Sequence, residues 1–164
     1  MSVLADGGIT VDLPQGWDGQ ILAAGQGSAS GSQVLAAGAD EPASEGLVLH
    51  AASFALPAER GDFGSGAVEV MGGSDVLVCL LEHEREAAST ALFSREGVPR
   101  LDPSMFSPQS MQRTIAGMAG TQHFFQLAGR AFCLYVVVGS WRTRGPLVLV
   151  ADKVTRSIAV AKPR

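Results

Sequence analysis

The chain has 164 residues, 46% of them hydrophobic, with a mean hydropathy of +0.21, a formal charge of −4 and a pI near 5.3. Such a length makes one domain, 1–164, with room for a real core, and the hydropathy excludes disorder for most of it. The acidic balance excludes a binder of nucleic-acid backbones, because Lys and Arg are not clustered and a close pair such as Arg142 and Arg144 is too little.

Ile9, Val11 and Leu13 alternate with Thr10 and Asp12, the period-two signature of a half-buried strand. Pro14 cannot donate to a ladder and ends it. With Pro14 second and Gly16 fourth, the corner reads as a type I turn that leaves Trp17 closing the end of the core. A second strand is predicted over 20–24. Residues 25–46 are small and polar and read as a flexible insert.

The run 47–56 predicts a strand stopped by Pro57, followed by turn material that includes Arg60-Gly61-Asp62. Residues 65–71 predict a short helix with Ser65 as its N-cap, closed by Gly72 and Gly73. A strand apolar on both faces follows at 76–84. The stretch 85–112 reads as an irregular, Pro-containing excursion tacked down by Leu92, Phe93, Leu101, Met105 and Phe106. These residues are also the candidate interaction surface, by which two copies could mate as a homo-oligomer.

Residues 121–140 predict a hairpin turning at Gly129-Arg130 as type II′. In its second arm Phe132, Leu134, Val136 and Val138 share one face, and Cys133, Tyr135 and Val137 the other, so this strand is central. The last element is an amphipathic helix over 146–161. Leu147, Val150/Ala151, Val154, Ile158 and Ala161 form its stripe, with Asp152, Lys153, Thr155, Arg156 and Ser157 opposite.

Chemistry is harder to find. His50, His83 and His123 fall on three predicted strands without paired ligand spacing, so no metal or other cofactor is expected. Cys79 and Cys133 lie in apolar runs, as buried thiols or as a cross-strand disulfide if their strands pair in register. Arg60-Gly61-Asp62 matches an adhesion tripeptide but reads first as a Gly-centred turn. Glu82, Glu84 and Glu86 with Arg85 read as a solvated strand end, and Glu69 as an exposed helix face. The run 64–73 offers a short helix start to an anion. No nucleophile motif, phosphate loop or dinucleotide pattern is present, so no catalytic residue is assigned.

Ten of the twelve basic residues are Arg, and Ala and Gly abound, the codon signature of a high-GC bacterial genome. No apolar run approaches the roughly 20 residues that cross a bilayer, so no transmembrane segment is expected. The first eight residues carry no basic-then-apolar signal pattern, which places the chain in the cytoplasm by default or outside it with the signal trimmed.

The corner Leu13-Pro14-Gln15-Gly16-Trp17, followed by an insert-tolerant hairpin, short helix, strand, long hairpin and C-terminal helix, resembles the PsbP-like fold. That group includes the photosystem II extrinsic subunit, a Ran-binding import factor and bacterial lipoproteins. The resemblance covers most of 9–161 apart from 25–46 and 85–112. It implies an α+β fold, an antiparallel sheet flanked by helices as an α/β/α sandwich, in proteins that act by docking; no lipid-attachment Cys stands near the N-terminus. The expected function is therefore a non-enzymatic interaction module for an unknown protein partner. The alternative is a small apolar-ligand carrier with a sheet–helix pocket near Trp17, Phe54 and Tyr135.

Overall fold

The computed structural model describes residues 1–25 and 46–162. Its strands are β1 (Ser2–Asp6), β2 (Ile9–Leu13), β3 (Asp18–Ala23), β4 (Leu47–Ala52), β5 (Val76–Glu82), β6 (Ala119–Leu127), β7 (Arg130–Val138) and β8 (Ala159–Val160). The α-helix α1 (Arg144–Arg156) lies between β7 and β8. A small antiparallel sheet runs β1-β2-β8, and a larger one β3-β4-β5-β7-β6. The α+β class, with antiparallel sheets and a C-terminal helix, follows directly. The insert expected at 25–46 lies outside the described residues from 26 to 45.

β7 is buried along its whole length, as expected of a central strand. Its even-numbered residues Phe132, Leu134, Val136 and Val138 join the cluster built with β2 and the α1 residues Val148, Ala151 and Val154. Its odd-numbered residues Cys133, Tyr135 and Val137 join a second cluster with Ala67, Val68, Met111 and Met118. A helix covers the first face. On the second, the residues that pack come from a 3-10 turn at Val68–Val70 and from irregular chain.

Several local expectations change. β1 was not legible, because its five residues are almost all exposed and carry no period-two signal. It joins β2 through Gly7 and Gly8, whose φ values of +57° and +84° suit a type I′ hairpin. The corner turn shifts by one residue: the Trp17 amide donates to Pro14 O at 3.1 Å, which puts Gly16 third with φ +84°, as type II requires. Trp17 packs half-buried on the first cluster, the plug expected of it. The long hairpin turns at Ala128-Gly129, with φ +55° and +77°, because Leu127 pairs with Arg130.

Ser65 does not cap the short helix. Its hydroxyl accepts from the Gly61 amide at 3.2 Å, and the 3-10 turn begins after Ala67. α1 stops at Arg156 because Ser157 accepts from the Asp12 amide at 3.0 Å and turns the chain into β8. Asp152 and Thr155, expected on the polar face, are buried. Asp152 accepts from the Leu101 amide at 2.9 Å and pairs with Arg156 at 2.8 Å, so it ties the excursion to the helix.

Candidate functional site

The sheet face turned away from α1 carries an apolar pocket of about 100 Å³. Tyr135 contributes from β7. Phe63 stands edge-on to it, with ring centroids 5.7 Å apart and planes at 76°. Val68 and Ile115 add aliphatic surface, and Glu69 and Arg113 face each other at 3.6 Å with both side chains exposed.

Two devices hold the pocket together. Gly64, with φ +84°, lets the loop lie flat on β5: a Cβ there would come within 2.6 Å of Leu77 Cδ2 and 3.2 Å of Cys79 Sγ. Across the sheet, the Gln112 amide donates to the Tyr135 hydroxyl at 2.8 Å, which pins the segment carrying Arg113 and Ile115. Burial raises the Tyr135 pKa above its ordinary value, so the hydroxyl keeps its proton at neutral pH.

Beside the pocket loop lies a buried polar network. Arg60 is only 4% exposed, and its Nε donates to His50 Nδ1 at 2.7 Å. The ring therefore carries its proton on Nε2, which donates to Asp62 O at 2.8 Å. Arg60 also donates to Pro57 O at 2.6 Å and to Gln20 Oε1. Burial, foremost, lowers the His50 pKa. An arginine spent in this way cannot be read by an adhesion receptor, so Arg60-Gly61-Asp62 is a structural turn.

The three residues expected to form a ligand pocket do not meet. Trp17 packs on the helix-side cluster, whereas Phe54 and Tyr135 belong to the opposite one. Tyr135 is odd-numbered on β7 and so points away from α1, which rules out a shared sheet–helix pocket. Of the five residues offered as an interaction surface, Phe93, Leu101 and Phe106 are buried anchors; Leu92 and Met105 remain exposed.

The other candidates resolve individually. Cys79 sits opposite Tyr135 and Cys133 opposite Leu81, so the thiols share a face diagonally and are unbridged. Burial raises both thiol pKa values, that of Cys133 to about 11, and neither is a thiolate at neutral pH. His123 bonds Thr121 Oγ1 at 2.9 Å, and His83 lies 5.1 Å from the Phe93 ring. Among the described residues no group of three or more His, Cys, Asp or Glu could hold a metal ion. The Glu69 carboxylate accepts from the Gly66 amide at 2.7 Å, occupying the place where an anion was considered.

Glu82 is not a solvated edge but half of a nearly buried pair, donated to by Arg130 Nε at 2.7 Å and Nη2 at 2.9 Å. A larger cleft of about 570 Å³ opens beside this pair, with Arg85 and Lys162 also on its walls. Sequence reasoning missed Phe63, Val68, Gln112, Arg113 and Ile115 because they lie in segments without periodicity. The one usable signal was Gly64 after Phe63, a glycine placed where a loop must touch the sheet. Comparison with known proteins finds no matching family model, no matching curated protein and no matching solved structure.

Proposed function

We propose that this chain is a non-catalytic docking module that receives one apolar side chain of a partner protein in the pocket between Phe63, Val68, Ile115 and Tyr135. The observation that carries this reading is the size and chemistry of the pocket. Small-molecule sites run from about 300 to 1,000 Å³, several times the 100 Å³ here. A volume of about three waters' share suits a single Leu or Met side chain. Anchor pockets of this kind, apolar inside and rimmed by polar groups, concentrate the binding energy of protein interfaces. The exposed Glu69 and Arg113 supply such a rim. The PsbP-like resemblance of the Leu13–Trp17 corner supports the same class, since that family acts by docking.

Selection of a random-peptide display library on the wild-type chain, counter-selected on Ser65→Leu, tests the proposal. Ser65 is exposed at the pocket, so a leucine there plugs it without touching the core. The expected result is a set of peptides sharing one apolar position and lost on S65L. Peptides that bind S65L equally well, or no enrichment, would overturn it.

A further inference from the structure

The outer edge of β6 differs from the outer edge of β1. On β6, the Gln126 and Gly97 amides exchange bonds with Arg95 O and Gln126 O at 2.8 Å, and Ser107 and Gly120 exchange theirs at 3.0 and 3.1 Å. β3, the other outer strand of that sheet, has no strand beyond it among the described residues, and the Leu4 and Leu13 side chains lie over its face at Gly19. β1 has no strand on its outer side among the described residues. Its sequence Ser-Val-Leu-Ala-Asp holds no Lys or Pro and its register with β2 runs without a bulge, so its guards are its five-residue length and the single charge of Asp6.

Its bonding pattern is fixed by the hairpin. Across a two-residue turn the flanking residues Asp6 and Ile9 form the hydrogen-bonded pair. Leu4 and Ser2 then also bond β2, and the backbone N–H and C=O of Val3 and Ala5 face outward. Val3 is 66% exposed.

We propose that β1 pairs antiparallel with β1 of a second copy of this chain, across a two-fold axis at Leu4. In that register Val3 exchanges both backbone bonds with the partner's Ala5, and Ala5 with the partner's Val3. Ser2 stands opposite the partner's Asp6, a hydroxyl donor beside a carboxylate, twice over. Leu4 meets Leu4 as a non-hydrogen-bonded pair, the closer kind of cross-strand neighbour. A parallel pairing would set Asp6 beside Asp6, which like-charge repulsion disfavours. The two small sheets thereby join into one six-stranded sheet. The interface rests on one short strand per copy, so the dimer forms at high protein concentration and dissociates on dilution.

Light scattering over a concentration series, with amide hydrogen exchange, tests this. The wild type should approach twice 17.0 kDa on concentration, with Val3 and Ala5 amides gaining protection as it does. Leu4→Cys should form an intermolecular disulfide under mild oxidation, because a non-hydrogen-bonded pair brings Cα atoms within about 4.5 Å. Val3→Pro removes only an outward N–H, so it should keep the far-ultraviolet spectrum and melting temperature while losing the dimer. A wild type that stays monomeric with fast exchange at Val3 and Ala5 would overturn the proposal. A dimer that survives Val3→Pro, or β1 amides protected only by an unrelated extended peptide, would equally do so.

Discussion

Arg60 is buried against three neutral acceptors, His50 Nδ1, Pro57 O and Gln20 Oε1, and among the described residues no carboxylate forms an ion pair with its guanidinium. Protonating His50 would remove one acceptor and set a second cation against the first. His50, His83 and His123 are all shifted below 6.5, burial being the first cause in each. The unfolded chain thus binds protons that the folded chain refuses. Stability is full above pH 6.5 and declines as pH falls below it. The urea midpoint should be lower at pH 5 than at pH 7.5, and His50→Gln should shrink that difference while His83 and His123 keep the remainder; a flat wild-type profile would contradict the account. Arg60→Met leaves those three acceptors without their donor and should cost about 2 kcal/mol in urea unfolding, the scale of stranding buried polar groups. This role was not legible in Arg60-Gly61-Asp62, because two of its acceptors, on Gln20 and His50, are brought together only by the β3–β4 pairing.

Among the elements, those with a period were legible. The two faces of β7 read correctly because alternation on a strand assigns every second residue to one cluster. α1 read correctly as an amphipathic helix, but its boundary and its buried Asp152 did not, since the partner of that carboxylate is a backbone amide 51 residues away. The β6–β7 hairpin was found, with its turn misplaced by one residue. Ala128 there holds φ +55°, a conformation costly for any residue with a Cβ. Ala128→Gly should therefore stabilise the chain by about 1 kcal/mol in thermal or urea unfolding; a loss of stability would contradict the turn assignment. The pocket segments carried no period, which is why the site itself was the least legible part of the chain.

At the scale of the whole molecule, one guanidinium couples the two sheets. Arg130 bonds Glu82 with two nitrogens and reaches Gly7 O at 3.1 Å and Ala161 O at 3.3 Å. It thus joins the β1–β2 turn and the end of β8 to the centre of the larger sheet. Arg130→Met leaves the Glu82 carboxylate nearly buried without its partner, and should cost about 3 kcal/mol. Amide exchange should then rise first in β1, β2 and β8, while β5 and β7 stay protected; uniform acceleration would contradict the coupling. The same architecture leaves the second sheet face to loops, and that is where the proposed anchor pocket lies. The most direct test is titration of N-acetyl-leucinamide into methyl-labelled protein, followed by nuclear magnetic resonance. Saturable shifts at Val68 and Ile115, with Val148 and Val154 on the helix side unmoved and a Kd on the order of 1 mM, are the predicted result. Methyl signals at Val68 and Ile115 that do not move, or that move identically in S65L, would contradict the docking function.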